Sequence, residues 1–204
     1  MLFDDTYLTI TERGEDIFRD RGSKFLGFAY PLNSESDIKA IVASLQKEHP
    51  KANHHCWALR WSTDRGVFRL NDDGEPSGTA GRPILNTLLS RNLTNVAVVV
   101  VRYFGGTLLG VPGLINAYKT AAELALDKAK VIEKTVNDVY QLSFEYLGIN
   151  DVMRLVKDES LEILAQAFDN QCQLTVSVRK TQVNQFLSKV EKLPAVNIKY
   201  QFTA

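Results

Sequence analysis

The chain has 204 residues, of which 45% are apolar, and this length and composition allow two modest domains, each with its own hydrophobic core. Lysine plus arginine equals aspartate plus glutamate at 24 each, so no global charge steers the molecule toward nucleic acid. No run of about eighteen uncharged apolar residues occurs, and the acidic start, Met1–Asp5, is unlike a secretory signal. We therefore expect a cytoplasmic protein without a membrane partner, and two distant cysteines, Cys56 and Cys172, suit a reducing compartment.

The first two thirds of the chain alternate apolar strands with amphipathic helices. In chain order, the periodicity predicts strands at 7–11 and 23–31, a helix that starts near Ser34 and ends at Pro50, strands at 53–61 and 66–70, a helix from Pro83, a strand at 97–101 and a helix over 114–126. The β-branched run at 97–101 is typical of a strand covered on both faces. Residues 130–135 are predicted to be a connection. We therefore expect an N-terminal β/α domain over residues 1–134, with the order β-β-α-β-β-α-β-α.

Residues 135–204 have the pattern of a second, smaller domain. The periodicity predicts a strand at 139–144, a helix at 149–156, strands at 160–168 and 173–178 joined by a turn at Asp169-Asn170, a helix at 182–193 and a strand at 196–202. This β-α-β-β-α-β order is that of the ferredoxin-like fold. The whole chain is therefore predicted to be an α+β protein, and the ferredoxin-like fold by itself decides no function.

Two glycine-rich segments, 72–83 (DDGEPSGTAGRP) and 95–106 (NVAVVVVRYFGG), form the candidate functional site. Each leads into a predicted helix, and successive N–H groups of such a loop can converge on an anion at the positive end of the helix. The candidate ligand-binding or anion-binding residues are Ser77, Gly78, Thr79, Gly81, Arg82, Arg102, Tyr103, Gly105 and Gly106. The competing interpretation is that the glycines only let the chain reverse tightly between packed elements. The P-loop motif itself is absent, because Val111-Pro112 occupies the positions of its Lys and Ser/Thr.

Three acidic residues, Asp72, Asp73 and Glu75, open the first segment. Carboxylate oxygens suit a hard divalent ion such as Mg²⁺, and Asp73 or Glu75 could serve an enzyme as a base. Asp and Gly are also common in solvated turns for local reasons, so a turn that binds no metal is the competing interpretation. No other cofactor is predicted.

His54-His55-Cys56 is a second candidate cluster, on a predicted strand. Period two places His54 and Cys56 on one face and His55 on the other, and no further Cys/His cluster supplies the rest of a zinc site. A cysteine nucleophile would lack an orienting third group, so a core cysteine is the competing interpretation.

Aromatic residues near Arg60 and Arg102 suit either base stacking or ordinary core packing. They are Trp57, Trp61, Tyr103 and Phe104.

These motifs closely resemble the signature of the IMPACT family and its bacterial YigZ branch. The residues that carry the resemblance are Asp72–Gly81 and Val99–Gly106, with Ser23-Lys24-Phe25 and His54–Trp57 upstream and Leu109-Gly110 and Gly113-Leu114 downstream. The likeness covers about residues 5–130. The second domain is similar to the small C-terminal domain of the bacterial members, which is itself similar to the last domain of elongation factor G.

The resemblance implies a fold and a biological setting. The N-terminal domain should adopt the fold shared by the second domain of a ribosomal small-subunit protein, elongation factor G and the GHMP kinases. Eukaryotic members carry a separate RWD module and act in translational control by competing with a kinase activator. This chain has no RWD segment, so we do not transfer that role. Family members often carry Lys where Leu108 stands and Gly where Pro112 stands. The missing Lys lowers the expected anion affinity, and Pro112 stiffens the loop.

Three functions follow as expectations. The leading one is a non-enzymatic cytoplasmic protein, linked to translation regulation, that binds RNA, the ribosome or a phosphate-bearing ligand in a cleft between residues 72–82 and 102–106. The alternatives are an enzyme acting on a small phosphorylated metabolite and a protein–protein interaction module that uses the sheet of the second domain. The sequence predicts neither the identity of the ligand nor an oligomeric state.

Overall fold

The computed structural model of the protein describes residues 5–169 and 171–204. These residues divide into two compact units. The larger unit comprises residues 7–134, and the smaller one comprises residues 135–204 together with Asp5 and Thr6. Both units mix helices with antiparallel sheets, which confirms the predicted α+β class. No helix in the described part of the chain is both long and apolar enough to cross a membrane.

The larger unit contains seven strands and three helices. In chain order they are β1 (Thr6–Ile10), β2 (Gly14–Asp20), β3 (Ser23–Pro31), α1 (Asp37–Glu48), β4 (His54–Trp61), β5 (Val67–Asn71), α2 (Gly81–Ser90), β6 (Val96–Tyr103), α3 (Gly110–Asp127) and β7 (Val131–Thr135). Five strands form an antiparallel sheet in the order β2-β3-β6-β4-β5, and β1 pairs with β7 in a separate two-stranded sheet.

Strand β6 lies at the centre of the five-stranded sheet and is buried on both faces, as the sequence predicts. Val96, Val98 and Val100 pack into one core cluster with residues of α2 and α3. Ala97, Val99 and Val101 pack into a second cluster on the opposite face, against α1. The sheet therefore has a helix layer on each side. The first glycine-rich segment follows the edge strand β5, and the second contains β6 and ends in the turn after it.

Two strands of the larger unit were not predicted. Strand β2 is an edge strand of mostly charged residues whose alternate side chains are exposed, so its apolar periodicity is weak. Strand β7 occupies residues predicted to be a connection, and only its pairing with β1 makes it a strand. The two helices that follow the glycine-rich segments also begin earlier than predicted, at Gly81 instead of Pro83 and at Gly110 instead of Leu114.

The smaller unit has the predicted order β-α-β-β-α-β. Its elements are β8 (Asn137–Phe144), α4 (Ile149–Asp158), β9 (Glu162–Phe168), β10 (Cys172–Arg179), α5 (Val183–Val190) and β11 (Asn197–Thr203). The strands form one antiparallel sheet in the order β11-β8-β10-β9, which confirms the ferredoxin-like prediction. Alternate residues of β8 and β10 pack against Val152 of α4 and Phe186 of α5. The predicted turn at Asp169-Asn170 includes Asn170, which lies outside the described residues.

Candidate functional site

The first glycine-rich segment folds around the carboxylate of Asp72. Its Oδ2 accepts a hydrogen bond from the N–H of Gly78 (2.9 Å), and its Oδ1 accepts from the N–H groups of Ala80 (3.1 Å) and Gly81 (2.8 Å). Burial acts to raise the pKa of Asp72, but the three backbone hydrogen bonds outweigh it, so this pKa lies below its ordinary value. The loop amides therefore converge on an anion that belongs to the same loop, and an external anion needs other donors.

The three acidic residues of this segment point to three different places. While Asp72 holds the loop amides, Asp73 accepts a hydrogen bond from the backbone N–H of His55 at 2.6 Å. The carboxylate of Glu75 is buried on the opposite side of the turn, in contact with Arg102. Within the described residues, no group of three or more His, Cys, Asp or Glu side chains is arranged to hold a metal ion. The sequence hypothesis that the three acids share a divalent ion therefore has no geometric basis.

Glu75 and Arg102 form a buried ion pair at the end of β6. Arg102 Nη1 donates to Glu75 Oε1 at 2.6 Å, and the hydroxyl of Tyr118 donates to the same oxygen at 2.7 Å. Arg102 is only 5% exposed, and its guanidinium lies between the rings of Phe25 and Phe104, at 5.4 and 5.5 Å from their centroids. Its Nε is buried without a hydrogen-bond partner in the described part of the chain. Such an atom is costly unless a bound molecule satisfies it.

An open cleft of about 490 Å³, here called the Arg102 cleft, lies above this ion pair. Both glycine-rich segments contribute to it, together with the start of α3. Its lining residues are Asn53, His54, Glu75, Pro76, Arg102, Phe104, residues 108–111 and Leu114. The cleft therefore combines a buried cation with a largely apolar wall.

The beginning of α3 supplies backbone donors to the Arg102 cleft. No side chain caps the N-terminus of this 18-residue helix. Among the described residues, the N–H groups of residues 108–111 donate to no acceptor. Unsatisfied N–H groups at the positive end of a helix attract anions. The donors that remain free for a ligand are therefore at α3, downstream of the loop held by Asp72.

The histidines face opposite sides of the sheet, as period two predicts. His54 lines the Arg102 cleft, where its Nδ1 lies 2.8 Å from the carbonyl oxygen of Asp73 and its Nε2 lies 3.8 Å from Glu75 Oε1. Because a carbonyl only accepts, His54 donates through Nδ1. His55 is buried on the α1 side, and burial lowers its pKa despite the opposing charge of Asp73. Burial also raises the pKa of the Cys56 thiol, which keeps it protonated and makes it a core cysteine.

The other residues singled out in the first segment lie outside the Arg102 cleft. Thr79 is buried, and its hydroxyl and N–H both donate to the carbonyl of Pro76. Ser77 is exposed at the tip of the loop. Gly78 and Arg82 line a second groove, of about 400 Å³, between α2 and α3. The segment therefore faces two separate depressions, with Pro76 in the first and Gly78 in the second.

In the second segment, only Arg102 and Phe104 reach the Arg102 cleft. The hydroxyl of Tyr103 lies 3.0 Å from His49 Nδ1 on the α1 side of the sheet, where Trp57 and Trp61 also pack. Gly105 packs directly on the backbone of Gly22, since a Cβ at position 105 would lie 1.9 Å from the Gly22 carbonyl carbon. Gly106 has φ +86° and open space around it. These glycines therefore shape the turn between β6 and α3.

Sequence reasoning missed the residues that complete the site. Tyr118 contacts Glu75 and lies 3.4 Å from the Cys56 sulfur. One signal was available, because Tyr118 is the single polar residue on a helix face otherwise made of buried apolar residues. They are Leu114, Ala117, Ala121, Ala122, Ala125 and Leu126. The contribution of residues 108–111 gave no such signal, since it comes from the backbone.

Comparison with known proteins places this site in a family. The sequence matches the family described as Impact N-terminal domain over residues 21–126. An IMPACT family member of Haemophilus influenzae is 34% identical over 170 residues, which cover 82% of each chain. The Escherichia coli IMPACT family member YigZ is 33% identical over 170 residues, covering 82% of this chain and 83% of YigZ.

A solved structure agrees with these matches. The crystal structure of a hypothetical protein is similar to this chain with a TM-score of 0.73 and 28% sequence identity, covering 97% of this chain and 98% of the other. The α+β fold is therefore shared over nearly the whole length. Since the family match spans half of the sequence and both bacterial relatives are more than 30% identical over most of it, the chain belongs to the IMPACT family, together with bacterial YigZ.

Proposed function

We propose that this protein is a non-enzymatic cytoplasmic RNA-binding protein that acts in translation, and that RNA enters the Arg102 cleft. The observation that carries the proposal is the state of Arg102 itself. Its side chain is buried, yet its Nε has no partner among the described residues and its Nη1 alone is hydrogen-bonded. A buried guanidinium with unused donors favours a ligand that brings oxygen acceptors.

The chemistry of the cleft favours RNA over a small metabolite turned over by an enzyme. Both acids considered as bases are already engaged, since Asp73 accepts a hydrogen bond from the N–H of His55 and Glu75 pairs with Arg102. The free amides of residues 108–111 suit phosphate oxygens, and the exposed ring of Phe104 suits a base. Binding therefore uses groups that are free in the cleft, whereas both acids considered as bases already have partners.

The family supports translation as the setting. The eukaryotic members act in translational control, and the resemblance supports that general setting for this chain, without their competition with a kinase activator. The resemblance of the smaller unit to the last domain of elongation factor G points to the same setting. We propose that the ribosome or an RNA bound to it is the partner, and that the larger unit makes the RNA contact.

The first experiment measures binding of a labelled single-stranded RNA and of purified ribosomes at increasing salt. We expect micromolar or tighter affinity for the RNA that falls steeply as salt rises, because phosphate contacts release counterions. Co-sedimentation with ribosomes should show the same dependence. Binding that does not change with salt, or no binding at micromolar protein, would refute the proposal.

Matched variants locate the contact. Leu108 is 82% exposed on the rim of the Arg102 cleft, and Leu147 is 90% exposed in the smaller unit, so each can be replaced by lysine without disturbing a core. Leu108→Lys should strengthen RNA binding roughly threefold to tenfold by adding a phosphate contact at the site, while Leu147→Lys adds the same charge elsewhere. Equal effects of the two variants would show that only net charge matters, and would remove the Arg102 cleft from the proposal.

A further inference from the structure

We infer that the Arg102 cleft holds one unpaired nucleotide, with its base on the ring of Phe104 and its phosphate at the N-terminus of α3. This inference rests on the proposed function, which names RNA as the ligand, and it adds which part of an RNA the site takes. It follows from three features of the cleft: its charge, its wall and its size.

The charge of the cleft places the phosphate at the rim. Arg102 is paired with Glu75 at 2.6 Å, so the two opposite charges largely cancel at the floor. A phosphate placed there would meet the carboxylate of Glu75 as well as the guanidinium. The amides of residues 108–111 carry no such opposing charge, and they lie at the positive end of α3. The floor therefore suits a neutral polar group, and the rim suits the anion.

The wall of the cleft supplies a surface for a flat apolar group. Phe104, Leu108 and Val111 are 44%, 82% and 52% exposed, although all three are large apolar residues that line the same cleft. Arg102 lies over the Phe104 ring with its Cζ 5.5 Å from the centroid, and the ring is still partly open. A base stacked on the open part of this ring would extend the stack of Arg102 and Phe104.

The polar groups at the floor match the edge of a base. Glu75 Oε1 accepts both hydrogen bonds to this carboxylate, so within the described residues Oε2 has no partner. The floor thus offers an acceptor in Glu75 beside a donor in Arg102. A cleft of about 490 Å³ is in the size range of sites for one small ligand. Bases inside a duplex are stacked and paired, so the nucleotide that enters must be unpaired.

The test compares four probes by isothermal titration and NMR: inorganic phosphate, adenosine, AMP, and a short RNA in single-stranded and duplex form. AMP should bind at least tenfold more tightly than phosphate or adenosine, because it alone occupies both subsites. It should also displace the single-stranded RNA, and the duplex should bind at least tenfold more weakly than the single strand. Equal affinity for AMP and phosphate, or for single strand and duplex, would overturn the inference.

Two phenylalanines with similar exposure provide the variant and its control. Phe104→Ala should weaken AMP and single-stranded RNA binding roughly tenfold and leave phosphate binding unchanged, because stacking is lost and the amides are kept. Phe104→Leu should recover little of the lost AMP and RNA affinity, since leucine restores apolar bulk without an aromatic face. Phe68, 48% exposed on β5 and outside the cleft, is the control, and Phe68→Ala should change none of these affinities. An unchanged AMP affinity in Phe104→Ala contradicts the inference.

The outcomes separate this inference from the proposed function. If the protein binds AMP in a Phe104-dependent way but binds neither RNA nor ribosomes, the proposed function fails and the nucleotide site stands. If RNA binds with steep salt dependence but AMP does not compete and Phe104→Ala has no effect, RNA binding stands and the nucleotide site fails. Chemical-shift changes confined to residues around Arg102 would identify the cleft as the place of binding in either case.

Discussion

At the scale of single residues, one carboxylate organises the loop that the sequence marks as functional. Three N–H donors converge on Asp72, an arrangement that elsewhere holds a bound anion. Because the anion that these N–H groups bind is the side chain of Asp72 itself, the loop is formed before any external molecule binds. The loop can therefore support Glu75 and Pro76, which line the Arg102 cleft.

We predict that Asp72→Asn destabilises the larger unit. An amide offers one acceptor oxygen where the carboxylate offers two charged ones, so at least one of the N–H groups of Gly78, Ala80 and Gly81 loses its partner. The free energy of unfolding in urea should fall by about 1–3 kcal/mol. Asp64→Asn is the control, because Asp64 accepts a hydrogen bond from the N–H of Gly66 in an exposed hairpin. Its replacement should lower the free energy of unfolding by less. Equal losses in the two variants would contradict this reading of Asp72.

A second residue makes stability depend on pH. Burial lowers the pKa of His55, so the folded state binds its proton at lower pH than the unfolded chain does. Asp73 acts in the opposite direction, while His49 adds to the lowering. Above the ordinary pKa of about 6.5 both states are neutral and stability is complete, and below it protonation of the unfolded chain reduces the free energy of unfolding.

NMR titration and urea unfolding between pH 5 and 8 test this prediction. The imidazole signal of His55 should titrate below pH 6.5, and unfolding should become easier as the pH falls through that value. His55→Phe should flatten the part of the pH profile that belongs to this residue. A His55 midpoint above 6.5 would show that the charge of Asp73 outweighs burial.

The contacts between distant residues mark the limit of sequence reasoning at this scale. The sequence singles out Arg102 and Glu75 separately, but they are 27 positions apart and nothing in the pattern pairs them. It also marks the loop glycines as amide donors, whereas the acceptor, Asp72, appears only as a possible metal ligand or base. The choice between an internal and an external anion depends on where the chain turns, and periodicity does not contain that information.

At the scale of elements, the site depends on how closely α3 lies on the sheet. The helix packs on β2 and β3 through glycines, since a Cβ at Gly27 would lie 2.2 Å from the carbonyl oxygen of Ala121 and one at Gly14 would lie 2.2 Å from that of Ala125. Both contacts involve backbone atoms of α3. This packing fixes the position of Tyr118, and thereby of Glu75 beneath the cleft.

We predict that Gly27→Ala moves or destabilises α3. A new methyl group against helix backbone cannot be relieved by a side-chain rotation, so the helix must shift or the free energy of unfolding must fall by about 1–3 kcal/mol. Urea unfolding and the amide spectrum of α3 report both effects. Gly66→Ala is the control, because its Cβ would meet only the flexible Asp64 side chain, at 3.3 Å. A native amide spectrum and unchanged stability in Gly27→Ala would show that α3 does not need this close approach.

Helices and strands could be predicted where burial imposes a strong apolar pattern on the sequence. Strand β6 is apolar from Val96 to Val101 and the smaller unit follows its periodicity strand by strand, so both were identified from sequence. Strand β2 has the sequence GEDIFRD, and its place in the sheet comes from pairing with β3. The early start of α3 at Gly110 has a similar origin, because glycine and Pro112 are weak signals of helix but tolerable in a first turn.

At the scale of the whole molecule, Asp5 belongs to the smaller unit although it precedes the larger unit in the sequence. Asp5 accepts hydrogen bonds from Arg179 Nε (2.6 Å), Arg179 Nη2 (3.0 Å) and the hydroxyl of Thr181 (2.7 Å). The N–H of Val136 also donates to the carbonyl of Asp5. The hydrogen bonds from Arg179, followed by that from Thr181, lower the pKa of Asp5 to about 2. Asp5 therefore joins residues 135–204 in one unit. The chain enters and leaves the larger unit at neighbouring positions, because β1 pairs with β7.

This arrangement predicts that Asp5→Asn destabilises the smaller unit selectively, in a way that depends on pH. The pKa of Asp5 is lower when the protein is folded, so its contribution is complete above about pH 4 and is lost as the pH falls toward 2. Hydrogen exchange in β8 and β10 should therefore be faster in Asp5→Asn than in the wild type at pH 7, and the difference should shrink in acid. Exchange in β6 and the fluorescence of Trp57 and Trp61 report the larger unit and should not change.

The matched control is Asp151→Asn, since Asp151 pairs with Arg154 on the exposed face of α4 and lies in the same unit as Asp5. A uniform increase in exchange across both units would contradict this prediction, because it would mean that Asp5 stabilises the larger unit as well.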